Sequence, residues 1–279
     1  MIRILVDSSS EYRKADAQRR GIDVVPLIVH LGGKEYRDGE NITPDEFYSQ
    51  IEAGIGFPKT SQLSPMVFGD YFKQAAEAGD EVIYIALDSH LSGTAQSAQL
   101  GIELSGATDI YIVDSTLATS CIRILADHAA DLRDQGATAP EIVDALNNLK
   151  KRVRCLATLD SLDYLSRGGR LPKAAATVAN AAKLKPIICL QGEGVSFVSM
   201  GMGMNRAVGA VLRHIEKLGI DDNFPFFGLW SYGRKNPDKF AKKAAEAGIT
   251  IDEFIQIGCV IGTHIGPEAF GCAFVIKEQ

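Results

Sequence analysis

The sequence predicts an α/β fold with a parallel sheet flanked by helices, followed by a second part of mixed α/β structure. In the first half of the chain, short apolar runs of strand length alternate with amphipathic segments, and the polar loops between them carry helix-start signals. Strand, loop and helix repeated in this order are typical of a parallel sheet with helices on its faces. The length of 279 residues predicts two domains, and the charged helix end Lys150-Lys151-Arg152 places them at 1–152 and 153–279.

The first half opens on a strand at Ile2 to Val6. Ser8 and Glu11 have the spacing of a capping box, which predicts a helix beginning there. The apolar run from Val24 to Leu31 predicts one strand, closed by a turn at Gly32-Gly33. Further helix starts are predicted at Thr43-Pro44 and Ser64-Pro65, and further strands at Glu81 to Leu87 and Asp109 to Val113.

The second half has a different pattern. A strand at Arg154 to Leu159 is followed by an alanine-rich helix that reaches Ala182. Two strands, Pro186 to Leu190 and Val195 to Met200, are joined by a turn at Gly192-Glu193-Gly194. The remaining predicted elements are a helix around Arg206 to Lys217, a strand at Phe226 to Trp230, a helix after Asn236-Pro237, and strands at Ile249 to Ile257 and Phe270 to Ile276.

The composition excludes some classes of binding partner and indicates the cellular compartment. The net charge is −6 and the basic residues are dispersed along the sequence, which argues against nucleic acid and anionic membrane surfaces as partners. The start carries no signal-peptide pattern, and no apolar run approaches the ~20 residues that span a bilayer. Five scattered cysteines indicate buried thiols in a reducing compartment. We therefore expect a cytoplasmic protein without integral membrane association.

Several loops rich in hydroxyl groups follow predicted strands, where ligands collect in open α/β sheets. They are Asp7 to Ser10, Lys59 to Gln62, Ser89 to Thr94 and Asp114 to Thr116, and a late loop, Gly262 to Pro267, adds His264. Taken singly, each of these hydroxyls is better explained as a helix cap, and a lone histidine is usually a structural hydrogen-bonding residue. Spacing alone does not show that these loops converge.

Motifs of catalysis and of cofactor binding are weak or absent. Gly201 to Arg206 lacks the third glycine of a dinucleotide fingerprint, and the sequence contains no P-loop, HExxH or GxSxG. Asp7, Asp88 and Asp114 lack the paired spacing of a metal site, so no metal or cofactor is predicted. A hydrolase with Ser92 as nucleophile and His264 as base is an alternative, but only Glu268 is close enough in sequence to orient the histidine.

Six segments together resemble the motifs of one family. They are Ile4 to Ser9, Lys59 to Pro65, Leu91 to Ala98, Leu162 to Leu171, Leu184 to Ile187 and Gly262 to Pro267. They are similar to motifs of the DegV family, bacterial fatty-acid-binding proteins that serve as carrier subunits of fatty acid kinase. Each segment is weak alone, but as a set they are specific and span almost the whole chain.

The resemblance implies a two-domain α/β fold with one long-chain fatty acid held between the domains. The resemblance also implies that hydroxyl groups bind the carboxylate. A cation and an imidazole are then expected near the carboxylate. The implied ligand-binding residues are Thr60, Ser61, Ser92, Gly93, Thr94, Arg170 and His264. It also implies that the protein performs no chemistry itself. It presents the carboxyl group to a separate kinase, whose acyl-phosphate product serves phospholipid synthesis.

Two segments depart from the family pattern. Thr119 to Arg123 replaces glycines that usually follow the aspartate–serine loop, and Gly201 to Met204 stands where the family has a basic strand end. The departures therefore leave the family's lipid binding better supported for this chain than the family's role as partner of a kinase. The alternative is a lipid sensor or store that acts without a kinase. The alanine-rich segment Ala174 to Ala182 could line the cavity with small side chains or could pack closely, and the sequence favours neither.

Overall fold

The structure, a computed structural model, describes residues 1–171, 184–192 and 194–278. The alanine-rich segment up to Ala182 and Glu193 of the predicted turn lie outside the described residues. Within the described ranges, no helix is both long and apolar enough to span a membrane.

The first sheet is parallel, with strand order β2-β1-β6-β7. Its central strand pairs Ile4 with Ile22 on one side and with Ile83 on the other, and all three side chains are buried. The four strands are β1 (Ile2–Asp7), β2 (Ile22–Val25), β6 (Glu81–Ala86) and β7 (Ile110–Asp114). This confirms the predicted parallel sheet and the strands assigned to its centre.

A small antiparallel sheet in the order β4-β3-β5 lies beside it. Its strands are β3 (Ile28–Leu31), β4 (Lys34–Arg37) and β5 (Lys59–Ser61). The prediction of a single strand from Val24 to Leu31 is wrong, because β2 ends at Val25 and β3 begins in a different sheet. Pro26 stands at the break, where a residue without an amide hydrogen cannot continue the ladder.

The second sheet is mixed and contains six strands in the order β10-β9-β8-β13-β11-β12. Every neighbouring pair is antiparallel except β11 with β12. The strands are β8 (Val153–Thr158), β9 (Leu184–Leu190), β10 (Val195–Met202), β11 (Phe227–Trp230), β12 (Glu253–Gln256) and β13 (Phe270–Val275). The mixed α/β second half is therefore confirmed, although the predicted strand from Ile249 to Ile257 is reduced to the short β12.

Ten helices accompany these sheets in the described residues. They are α1 (Lys14–Arg20), α2 (Pro44–Glu52), α3 (Pro65–Glu77), α4 (Thr94–Ser105), α5 (Ser120–Asp134), α6 (Ala139–Leu149), α7 (Asp163–Arg167), α8 (Met204–Leu218), α9 (Lys235–Glu246) and α10 (Cys259–Ile265). The predicted starts at Thr43 and Ser64 are confirmed. Thr43 forms a capping box with Glu46, and Ser64 Oγ accepts a hydrogen bond from Met66 N.

The capping box predicted at Ser8 and Glu11 is wrong. Asp7, rather than Ser8, accepts the hydrogen bond from the amide of Ser9, and a single 3-10 turn covers Ser8–Ser10. Glu11 adopts the left-handed conformation with φ 63°, and its side chain accepts a hydrogen bond from Gly258 N instead. The helix that follows, α1, begins only at Lys14.

One continuous apolar core joins the two halves of the chain, running from Ile4 in β1 to Leu190 in β9. A second core lies between the mixed sheet and helices α8 and α9, around Phe240 and Phe270. All five cysteines are buried and unbridged, as predicted. The division into 1–152 and 153–279 remains a prediction, since β8 enters the second sheet at Val153 while the core is shared.

Candidate functional site

A cavity of about 110 Å³ lies where the two halves meet. Its polar lining comes from β5, the loop before α4, the segment after α7, and α10. Its apolar lining comes from both halves and includes the β9–β10 hairpin. The apolar lining residues include Leu27, Leu87, Ala118, Ile188, Leu190 and Val195. One end of the cavity is therefore polar and the remainder is hydrocarbon.

Thr60 and His264 meet at the polar end although 204 positions separate them. Thr60 Oγ1 lies 3.0 Å from His264 Nε2, while His264 Nδ1 is buried without a hydrogen-bond partner among the described residues. A buried N–H without an acceptor costs ~1–3 kcal/mol, which favours the neutral tautomer with its hydrogen on Nε2. In that tautomer the imidazole donates to Thr60, and the threonine hydroxyl keeps its own hydrogen for another acceptor.

His264 is held as a neutral imidazole. Burial, and after it the Arg170 cation, lower the pKa of His264 from 6.5 to about 4. Gly168 makes this packing possible, because a Cβ at that position would lie only 2.3 Å from His264 Nδ1. The histidine therefore serves as a hydrogen-bonding group at neutral pH and contributes no positive charge.

This low pKa predicts a dependence of stability on pH. Between pH 6.5 and 4 the unfolded chain binds a proton at His264 that the folded protein excludes, so acidification destabilises the fold. From pH 7 to pH 5 the loss amounts to about 2 kcal/mol. Urea unfolding of the wild type and of His264→Gln at both pH values measures it. We expect the wild type to lose about 2 kcal/mol more than the variant; equal losses would contradict the buried neutral imidazole.

Ser92 presents a second hydroxyl from the loop that precedes α4. Ser92 Oγ lies 2.7 Å from Thr94 Oγ1 and accepts a hydrogen bond from Thr94 N at 3.2 Å. When the buried Thr94 hydroxyl donates to it, the hydrogen of Ser92 is left for another acceptor. Thr94 itself is fully buried. It hydrogen-bonds to Ser92 but is not among the residues that line the cavity.

Arg170 brings a cation to the polar end. Its Nε donates to the carbonyl of Leu91 at 2.9 Å and its Nη1 to the carbonyl of Gly168 at 2.6 Å. Among the described residues lining the cavity, Arg170 is the one with a formal charge at neutral pH. These two bonds fix the guanidinium. Because Nε already donates to Leu91, a carboxylate cannot form the bidentate pair that uses Nε.

The other two predicted residues that line the cavity are Ser61 and Gly93. Ser61 is exposed, and its Oγ lies 2.9 Å from His30 Nε2. Gly93 lies against Gln62, whose Oε1 would be 1.9 Å from a Cβ at position 93. Glycine here allows the Gln62 amide to lie over the start of α4.

Asp88, in the loop after β6, joins the polar end to the hairpin of the second half. One oxygen of this fully buried carboxylate accepts from Gly194 N at 2.9 Å, and the other from His90 N at 2.8 Å. These bonds hold Leu91 and Val195 together on the cavity wall. The arrangement as a whole suits an amphiphile with an anionic head group and an apolar tail.

A family model described as "Uncharacterised protein, DegV family" matches residues 1–277. A DegV domain-containing protein of Caldanaerobacter subterraneus is 33% identical over 278 residues, covering 99% of both chains. The chain belongs to the DegV family. The sequence motifs and the whole-chain match agree, so the predicted family is confirmed.

Solved structures of DegV-family proteins share the fold. One from Thermus thermophilus, described by its fatty acid binding, has a TM-score of 0.88 at 28% identity over 99% of both chains. Another from Eubacterium ventriosum, described as a stearic acid-binding protein, has a TM-score of 0.89 at 26% identity over 99% of both chains.

Sequence reasoning missed some of the residues that shape the site in this DegV-family chain. Gly168 and Asp88 act through packing and backbone contacts, which leave no signature in residue type. The loop predicted from Gly262 to Pro267 is in part helical, since α10 runs through Ile265. That correction matters because α10 fixes the direction in which His264 points.

Proposed function

We propose that this DegV-family protein binds one long-chain fatty acid, with its carboxylate at the polar end of the cavity and its acyl chain along the apolar walls. The observation that carries the proposal is the convergence of Thr60, Ser92, Arg170 and His264 on a cavity whose lining is otherwise mostly hydrocarbon. The solved relatives described as fatty-acid-binding proteins support the choice of ligand.

The polar end is matched to an ionised carboxyl group. Burying a carboxylate costs several kcal/mol unless donors satisfy it. Each hydrogen bond to a charged group returns ~1.5–3 kcal/mol, so the hydroxyls of Thr60 and Ser92, with the Arg170 cation, roughly offset that penalty. The head group then fixes orientation rather than supplying net affinity.

The apolar part of the cavity supplies the affinity. A cavity of about 110 Å³ takes roughly nine water-sized groups at ~10–15 Å³ each, which leaves room for about six methylenes beside the three heavy atoms of the carboxyl group. At ~0.8 kcal/mol for each buried methylene, those six contribute about 5 kcal/mol before ordering costs.

We propose further that the protein leaves the carboxyl group unchanged and presents it to a fatty acid kinase. Hydroxyls that each donate one hydrogen bond leave a carboxylate oxygen lone pair free, which a bidentate arginine would occupy. That oxygen attacks the γ-phosphorus of ATP held by the kinase, forming the acyl-phosphate while ADP leaves.

The geometry disfavours the hydrolase alternative. Ser92 bonds with Thr94 and His264 bonds with Thr60, so nucleophile and base are not paired. A histidine with a pKa of about 4 is also a poor general base at neutral pH.

Solvent extraction of the purified protein tests the proposal. Mass spectrometry of the extract is expected to find about one fatty acid per chain, and the delipidated protein is expected to take up one equivalent of added palmitate. A protein that yields no acyl chain and refuses palmitate would overturn fatty acid binding.

The kinase step has its own readout. Loaded protein, ATP and a fatty acid kinase subunit are expected to give acyl-phosphate, trapped with hydroxylamine as the hydroxamate. Full binding with no hydroxamate would instead favour the lipid sensor or store, the alternative that the altered segment Gly201 to Met204 raises.

A further inference from the structure

Helix α10 is held at its first turn by two carboxylates from the other half of the chain. Gly258 N donates to Glu11 Oε2 at 2.6 Å. Cys259 N donates to Asp38 Oδ1 at 3.1 Å, and Val260 N donates to Asp38 Oδ2 at 3.4 Å. Three backbone donors of one short helix are thus bound by side chains more than 220 positions away.

Both carboxylates are buried and are themselves held in place. Thr119 Oγ1 donates to Glu11 Oε1 at 3.4 Å, and Ser8 Oγ donates to Asp38 Oδ2 at 3.1 Å. Glu11 is 8% exposed and Asp38 is 5% exposed. A Cβ at Gly258 would lie 2.8 Å from Glu11 Oε2 and 3.3 Å from Asp38 Oδ2, so both carboxylates close around that glycine.

The conformation of Glu11 and the burial of Glu11 beside Asp38 are energetically unfavourable, which indicates a functional role for these two residues. Glu11 adopts φ 63°, a conformation that non-glycine residues seldom adopt. Burial raises the pKa of Glu11 well above its usual value, and the nearby Asp38 charge raises it further. Burial also raises the pKa of Asp38. Backbone strain together with two neighbouring buried carboxyl groups is typical of functional sites rather than of simple packing.

The other end of α10 carries the head-group histidine. His264 lies six residues after Gly258, about 9 Å along a helix at 1.5 Å per residue. Tyr48 OH donates to the carbonyl of Ile257 at 3.1 Å, and a Cβ at Gly262 would lie 2.4 Å from that same hydroxyl oxygen. Since Gly258 is the N-cap of the same short helix that contains His264, a displacement of its first turn would move His264 as well.

We infer that Glu11 and Asp38 are positioning residues for the head-group site, which hold α10 so that His264 Nε2 meets Thr60. The inference rests on the proposed binding of a fatty acid carboxylate. Neither carboxylate is among the residues lining the cavity. They act through the helix and do not touch the ligand.

The test compares a fatty acid with the matching fatty alcohol, palmitate against hexadecanol. Glu11→Ala removes the acceptor for Gly258 N and is expected to weaken palmitate binding about tenfold, the effect of one lost hydrogen bond at the head group. Binding of hexadecanol, which depends on the tail, is expected to stay within about twofold. Glu11→Gln keeps an acceptor oxygen and is expected to restore palmitate binding.

A second readout follows His264 directly. In Glu11→Ala the imidazole is expected to titrate above its pKa of about 4, because a displaced ring is better hydrated. Imidazole NMR signals report this. If Glu11→Ala does not fold, Glu11→Asp replaces it: aspartate tolerates the left-handed conformation and keeps a carboxyl group but is one methylene shorter. The same selective loss of palmitate binding is expected.

The matched control is Glu141→Ala, which removes a carboxylate from the first turn of α6, where it accepts from Thr138 N at 2.8 Å. This control is expected to leave both ligands unaffected. Equal weakening of palmitate and hexadecanol by Glu11→Ala, or no weakening of either, would overturn the positioning role. Failure of the wild type to bind palmitate would instead overturn the proposed function.

Discussion

Replacing both Thr60 and Ser92, as Thr60→Val with Ser92→Ala, is expected to weaken fatty acid binding by about a hundredfold or more. Each hydroxyl donates to a charged acceptor, and each such bond is worth ~1.5–3 kcal/mol, or roughly tenfold or more in affinity. The two hydroxyls have different protein partners, His264 and Thr94, but share the carboxylate, so the double variant measures their combined effect directly. Titration with a fluorescent fatty acid measures the loss.

Valine matches threonine in shape, so the double variant changes hydrogen bonding with little change in volume. Thr108→Val with Ser105→Ala is the matched control, since both hydroxyls lie at the far end of α4 and bond only locally. The control is expected to bind as the wild type does. Equal affinity of the wild type and the double variant would contradict the assignment of the carboxylate to these hydroxyls.

Arg170→Met is expected to weaken fatty acid binding roughly thirtyfold, the equivalent of about 2 kcal/mol. Methionine keeps much of the apolar stem but removes the one formal charge among the described lining residues. Removing this cation is also expected to raise the pKa of His264 above about 4, because Arg170 is one of the two causes that lower it.

Isothermal titration with palmitate and an NMR titration of His264 measure these two effects. Arg213→Met on α8 removes an exposed arginine from a helix behind the mixed sheet and is expected to change neither. If Arg170→Met binds palmitate as tightly as the wild type, the carboxylate does not lie beside this guanidinium.

Much of the fold could be read from local patterns. Thr43-Pro44 and Ser64-Pro65 predict helix starts correctly because capping depends on residues within one turn. The β9–β10 hairpin follows from two apolar runs close together in sequence. The run from Val24 to Leu31 misleads, since its residues suit a strand throughout and only Pro26 marks the change of sheet.

The site was less accessible to sequence reasoning because it depends on contacts across the whole chain. Thr60 and His264 each look like an ordinary residue of a loop, and the resemblance to a family is what connects them. The spacing of Ser8 and Glu11 predicts a local cap, yet the partner of Glu11 is Gly258, 247 positions away. Capping rules relate residues within one helical turn and therefore do not predict contacts at that separation.

A crystal structure of the palmitate-loaded protein would show where the carboxylate binds. We expect one ligand with its carboxyl oxygens within about 3 Å of Thr60 Oγ1 and Ser92 Oγ. We also expect the acyl chain to run past Ile188, Leu190 and Val195. A carboxylate placed elsewhere, with the hydroxyls of Thr60 and Ser92 out of hydrogen-bonding range, would contradict the proposed binding site.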